Sequence, residues 1–165
     1  MGIFNAKSLL ASVGFLSASV TAASADGREA HLAALDEIRV IHPWVRAAEA
    51  GGTTLLFMEI ENDGGPVRLV SARSSAAGAA TTVGIVSQGE TLSTVDIGVV
   101  EVPRGEFRMD PGGLAIRLER LSEDFAVDEE IDVVLTFEPG GELPLRAKVE
   151  AADATEHRHA GHAHH

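Results

Sequence analysis

Between residues 37 and 152, apolar and polar side chains change places every second position, and no stretch sustains the 3.6-residue period of a helix. Residues 53–62 set Leu56, Met58 and Ile60 against Glu59 and Glu61. Residues 131–137 set Ile131, Val133, Leu135 and Phe137 against Asp132, Val134 and Thr136. Residues 143–150 oppose Leu143, Leu145, Ala147 and Val149 to Pro144, Arg146, Lys148 and Glu150. Such a run rests one face on a core and leaves the other largely in water when it is a β-strand. Turn-forming clusters punctuate these runs: Asn62-Asp63-Gly64-Gly65-Pro66, Gln88-Gly89-Glu90, Pro103-Arg104-Gly105, Asp110-Pro111-Gly112-Gly113 and Glu138-Pro139-Gly140-Gly141. The strands predicted between them lie near residues 37–47, 53–62, 67–74, 80–87, 92–102, 106–109, 114–118, 129–138 and 142–151. Eight or nine short strands predict an all-β chain, a Greek-key β-barrel or sandwich. Only residues 118–124 could form a helical turn. Strand does not alternate with helix, and the Gly-Gly pairs fall in hairpin turns, so neither a parallel nucleotide-binding sheet nor a phosphate loop is expected.

Both ends of the chain differ from this body. Residues 1–25 carry a single charge, Lys7, then a mostly apolar run over 8–22, then Ala23-Ser24-Ala25 ahead of Asp26. A basic start, an apolar middle and a small-residue exit are the layout of a cleaved signal peptide. The run falls short of the roughly 20 apolar residues that span a bilayer. The expected product is exported and soluble in the periplasm, with no membrane insertion after cleavage. Cysteine is absent altogether, which rules out a disulfide framework, a Cys-ligated metal, a thiol nucleophile and a lipid-bearing thiol after the apolar run. With 13 basic against 25 acidic residues the chain carries a net charge of −12 and repels polyanions, and aromatics at 4% are too few to stack bases, so no nucleic-acid partner is expected. The predicted organisation is a signal peptide at 1–25, a lead-in at 26–36, a barrel domain at 37–152 and a tail at 153–165.

Several segments, in order, resemble the periplasmic copper chaperone family PCu(A)C. They are Ile41-His42-Pro43-Trp44-Val45-Arg46-Ala47, Phe57-Met58-Glu59-Ile60-Glu61-Asn62, Arg68-Leu69-Val70-Ser71-Ala72 through Ala76-Ala77-Gly78, Val102-Pro103-Arg104-Gly105, Asp110-Pro111-Gly112-Gly113-Leu114 and Leu135-Thr136-Phe137-Glu138. The resemblance spans residues 38–149 and implies a cupredoxin-like β-barrel. It also implies a Cu(I) site built from a His-x-Met before the mid-chain hairpin, a Met beyond it and a second His-x-Met after the Pro-Gly-Gly turn, because thioether sulfur favours Cu(I). Those ligands are missing. Gly84 and Val86 stand near the first pair, residues 92–100 hold no Met, and Ala115 and Arg117 occupy the last pair.

Other donors remain. Five of the seven histidines crowd the tail: His157, His159, His162, His164 and His165. In a chain without apolar periodicity, read as disordered, they can wrap one ion with two to four imidazoles. Imidazole suits Cu(II), Zn(II) and Ni(II), with Cu(II) favoured by the Irving–Williams order. The interleaved Arg158, Ala160, Gly161 and Ala163 distinguish this stretch from an unbroken affinity run. A second option is His31 as a new N-terminus chelating copper through amine and imidazole, which needs processing after Ala30 with Arg28 at the −3 position. Met58 alternates with Leu56 and Ile60 and reads as core. Met109 has no His nearby in sequence, and His42, before Pro43, reads as a structural position. No Ser-His-acid pattern stands out, so no enzyme is expected. The resulting expectation is a copper chaperone that captures copper through tail histidines and delivers it to a periplasmic or membrane-bound copper protein; the alternative is a non-metal binding or assembly module on the same barrel.

Overall fold

The computed structural model describes residues 32–89 and 91–157. These form eleven strands and, among the described residues, no helix: β1 (Leu32–Leu35), β2 (Ile38–Arg46), β3 (Thr53–Asn62), β4 (Val67–Arg73), β5 (Ala77–Gln88), β6 (Thr91–Asp96), β7 (Val100–Val102), β8 (Gly105–Met109), β9 (Leu114–Leu121), β10 (Glu130–Glu138) and β11 (Gly141–Glu150). The chain is all-β as the alternation requires, with two more strands than the upper count. The run at 92–102 divides because Gly98 takes a left-handed φ of 77°, which interrupts a ladder. The amides of Ile97 and Gly98 turn instead to the carbonyl of Thr82, at 2.9 and 3.1 Å. The other addition, β1, lies inside the lead-in and pairs antiparallel with β2 across a turn at Asp36, whose φ is 52°. In place of the helical turn at 118–124, β9 runs on to Leu121 and the chain then bends. The signal peptide lies outside the described residues.

The strands pair in the order β6-β5-β9-β3-β2-β11-β10-β4-β7, with β1 also on β2 and β8 also on β3. Every pair is antiparallel except β2 with β11, which run parallel from Trp44 opposite Lys148 to Arg46 opposite Glu150. The path ends at β6 and β7 and does not close, so the expected Greek-key barrel or sandwich is realised without closure of the barrel. One face carries a core that draws on both halves of the sheet. Val40, Leu56, Ile60, Leu69, Ile116, Leu118 and Leu135 are all fully buried in it. Alternation sends the intervening residues to the opposite face, where Trp44, Phe57, Val83 and Ala115 form a smaller cluster covered by Ala154. The rings of Trp44 and Phe57 meet there with centroids 4.6 Å apart.

Asn62, at the end of β3, fixes two connections at once. Its Nδ2 donates to the carbonyls of Gly65 (2.9 Å), Pro103 (3.2 Å) and Val102 (3.3 Å), and its Oδ1 accepts from the Gly64 amide at 3.0 Å. Buried to 1% exposure, this one amide ties the β3–β4 turn to the β7–β8 turn. At the β10–β11 turn Gly140 and Gly141 both adopt positive φ, 140° and 112°, which side chains rarely accept.

Candidate metal centre

The position at which the resemblance implies copper has been rebuilt. Ala115 on β9 is fully buried against Trp44, Phe57 and Val83, which leaves no room for an imidazole. A β-carbon placed at Gly84 would stand 3.1 Å from Cδ1 of Ile97. Arg117, only 17% exposed, projects from β9 toward the β5–β6 hairpin. Its Nη1 lies 2.9 Å from Asp96 and 3.0 Å from Oγ1 of Thr94, and its Nη2 lies 3.4 Å from Glu119. A fixed cation thus stands where the resemblance implies a metal, paired with the carboxylates of Asp96 and Glu119.

Donors gather elsewhere, at an irregularity in β2. Ile41 pairs with Glu59 of β3, and the next pair is Trp44 with Phe57. Two residues of β2, His42 and Pro43, therefore oppose the single residue Met58. This is a β-bulge, a device that bends a strand and re-aims a side chain. Proline cannot donate to the ladder, and His42 carries a φ of 49°, uncommon outside glycine. On its other side Met58 pairs with Met109 of β8. Three adjacent strands thus line up His42, Met58 and Met109. The two methionines, 3% and 2% exposed, belong to the core as the alternation predicts, and they also line a cavity of about 200 Å³.

The chain end completes this cavity. After β11 the backbone turns, with the Ala154 amide bonded to the Ala151 carbonyl at 3.0 Å. Arg46 donates from Nε to the Ala154 carbonyl at 2.9 Å while its guanidinium lies over the ring of Phe57. This brings His157 into the cavity wall beside His42, with ring centroids 5.6 Å apart and planes inclined by 24°. His157 Nδ1 lies 2.9 Å from Oε1 of Glu150, both side chains being nearly buried (8% and 4% exposed). Glu59, Asp110 and Glu156 contribute carboxylates to the same wall, with Arg108 among them. Arg108 is itself engaged by Glu106 and, at 3.7 Å, by Glu59.

Of the tail histidines, His157 is the one the structure describes. His159, His162, His164 and His165 lie outside the described residues, as does His31. No group of three or more His, Cys, Asp or Glu side chains disposed to hold a metal occurs among the described residues. Taken one at a time along the sequence, His42, Met58 and Met109 give no sign that they sit on adjacent strands. A signal was present nonetheless: Pro43 inside an otherwise regular strand pattern marks a bulge.

Comparison with known proteins agrees with this architecture. Solved structures similar to this chain include the apo PCuAC domain from PmoF1, with a TM-score of 0.62 and 26% identity over 73% of this chain and 99% of that one. Another is the copper-bound PCuAC domain from PmoF2, with a TM-score of 0.61 and 27% identity over 73% and 98%. A search of curated proteins finds no match. The family model for LpqE-like lipoproteins matches residues 38–149, from the first residue of β2 to the penultimate residue of β11, although the 165 residues include no cysteine to carry a lipid. The chain therefore belongs to the LpqE-like family, whose fold it shares with PCuAC copper domains.

Proposed function

We propose that this protein is a copper chaperone acting in the periplasm after export. It captures the ion with histidines of its C-terminal segment and passes it by ligand exchange to a periplasmic or membrane-bound copper protein. Family membership and likeness to a copper-bound PCuAC domain support the copper reading. The observation that carries it is the seating of His157, first of the tail histidines, beside His42. His159, His162, His164 and His165 follow it in the sequence. Cu(II) is the expected cargo of these imidazoles, ahead of Zn(II) and Ni(II). The acidic surface concentrates cations weakly around the molecule, and the sheet supplies a rigid platform rather than a catalytic centre.

Titrating Cu(II) into the exported form with and without residues 156–165 tests this. Loss of the tight phase on truncation is expected; unchanged affinity removes the C-terminal segment from the mechanism. The alternative, a non-metal assembly module, is favoured by the exposed apolar side chains of the β5–β6 hairpin and its exit, Leu92, Val95, Ile97 and Val99. A recipient that binds the metal-free truncated chain as tightly as the loaded full chain would support that reading.

A further inference from the structure

We infer that the free edge of the β5–β6 hairpin is a self-association surface. Two copies of this chain join antiparallel along β6, about a two-fold axis through Thr94, and so form one continuous sheet. The inference stands apart from the copper reading and holds whether or not the chain carries a metal.

The strand order ends at β6, six residues long and paired only with β5. In an antiparallel ladder alternate residues bond the neighbouring strand, and those between them direct their N–H and C=O groups the other way. Two bonds show which residues do which here. The Ile85 amide bonds the Gly113 carbonyl at 2.7 Å, away from Thr94, its partner on β6. The Ile97 amide bonds Thr82 of β5 at 2.9 Å. Thr91, Ser93 and Val95 therefore serve β5, while the backbone groups of Leu92, Thr94 and Asp96 point out from the sheet. Natural edges are blunted by Lys, by Pro, by a bulge, or by being very short. At the other end of the path β7 has three residues and runs into Pro103. β6 has none of these devices.

This edge is complementary to itself. A two-fold axis through Thr94 sets Thr94 against its own copy and Leu92 against Asp96 of the other chain, so every outward N–H and C=O of these residues gains a partner. The same register makes the two Val95 side chains diagonal neighbours across the junction. Val95 is 55% exposed, and Ile97, also exposed, lies over Gly84 on the same face. Charge selects this place over the rest of the surface. With a net charge of −12, two copies repel one another over most approaches. From Thr91 to Asp96 the only charged side chain is Asp96, which Arg117 of the same chain holds at 2.9 Å. In the two-fold register it stands opposite Leu92 and meets no carboxylate on β6 of the second copy. A six-residue strand and its flanking side chains make a contact near the low end of specific interfaces, about 1,200 Å² in total, so the dimer is weak and reversible. A two-fold contact also closes, and both β6 edges are used up in it.

Analytical ultracentrifugation of the exported chain over graded concentrations tests this, with a chelator present so that no metal bridges two tails. A reversible monomer–dimer equilibrium is expected, without larger species. Val95→Lys, at a side chain already in water, should raise the dissociation constant at least tenfold by placing like charges beside each other, and should leave the circular dichroism of the sheet unchanged. Thr94→Cys gives an independent reading, because the chain has no other cysteine. Directly opposite residues of a bonded pair have α-carbons about 5.5 Å apart, within the range a disulfide spans. Oxidation should therefore link two copies at this position much faster than at Glu101→Cys on β7. A monomer at every concentration, a dimer that Val95→Lys leaves intact, or equal cross-linking at the two edges overturns the proposal. Open-ended growth overturns it too, since that requires β6 of one copy on a different edge of the next.

Discussion

Nη1 of Arg117 and Oδ1 of Asp96 stand 2.9 Å apart across the β9 and β6 strands, although β5 lies between those strands in the sheet. The guanidinium spans the β5–β6 hairpin from beneath and bonds Thr94 on the way. The arginine thereby cross-links the hairpin to β9.

Removing it should loosen the hairpin without unfolding the chain. Arg117→Met forfeits the contacts to Asp96, Thr94 and Glu119, of which the Asp96 side is 65% exposed. Global stability should fall by no more than about 1 kcal/mol, while amide exchange accelerates across β6. Ala115→His should do more harm, about 1–3 kcal/mol, because it forces a ring into the cluster of Trp44, Phe57 and Val83. Urea denaturation distinguishes the two variants.

Asn62→Ala should be among the costlier polar substitutions. It strips three carbonyls and one amide of their partner at a buried position. The expected loss is about 2–3 kcal/mol, read as a lowered thermal midpoint.

Arg46→Ala should release the end of the chain. The bond from Nε to the Ala154 carbonyl ties residues 151–157 to β2. Limited proteolysis should cut after β11 faster in this variant, with the core unaffected. A weaker grip on copper should accompany it, since His157 then pays its own ordering entropy.

Glu150→Gln keeps shape and buried volume but withdraws the carboxylate from His157. Copper affinity should drop about 10- to 100-fold with little change in fold. Acid should act in the same direction on the native protein. Imidazoles bind metal only when neutral, so protonation opposes binding, and retention should decline as pH falls below about 6. Equilibrium dialysis at graded pH checks both statements.

Much of the frame was legible in the residues. The alternation in 53–62 and 131–137 located β3 and β10, and Glu138-Pro139-Gly140-Gly141 located the turn between β10 and β11. The replacement of ligands at Ala115 and Arg117 was also readable, though the ion pairs that hold Arg117 were not. What sequence pattern could not show was convergence through space. His42 and His157 are separated by almost the whole described chain, and they meet because β11 lies parallel to β2 and Arg46 catches the backbone beyond it. Met109 looked isolated for a similar reason: its neighbour Met58 belongs to a strand laid down some fifty residues earlier. Strand β1 was missed because Leu32 to Leu35 is too short and small-sided to show a period.

The surplus residue in β2 makes the arrangement of donors sensitive to strand length. Excising His42 would set Pro43 alone opposite Met58 and let Ile41 through Trp44 run against β3 residue for residue. That straightened variant would be the more regular molecule and would have lost the one imidazole that the described strands provide.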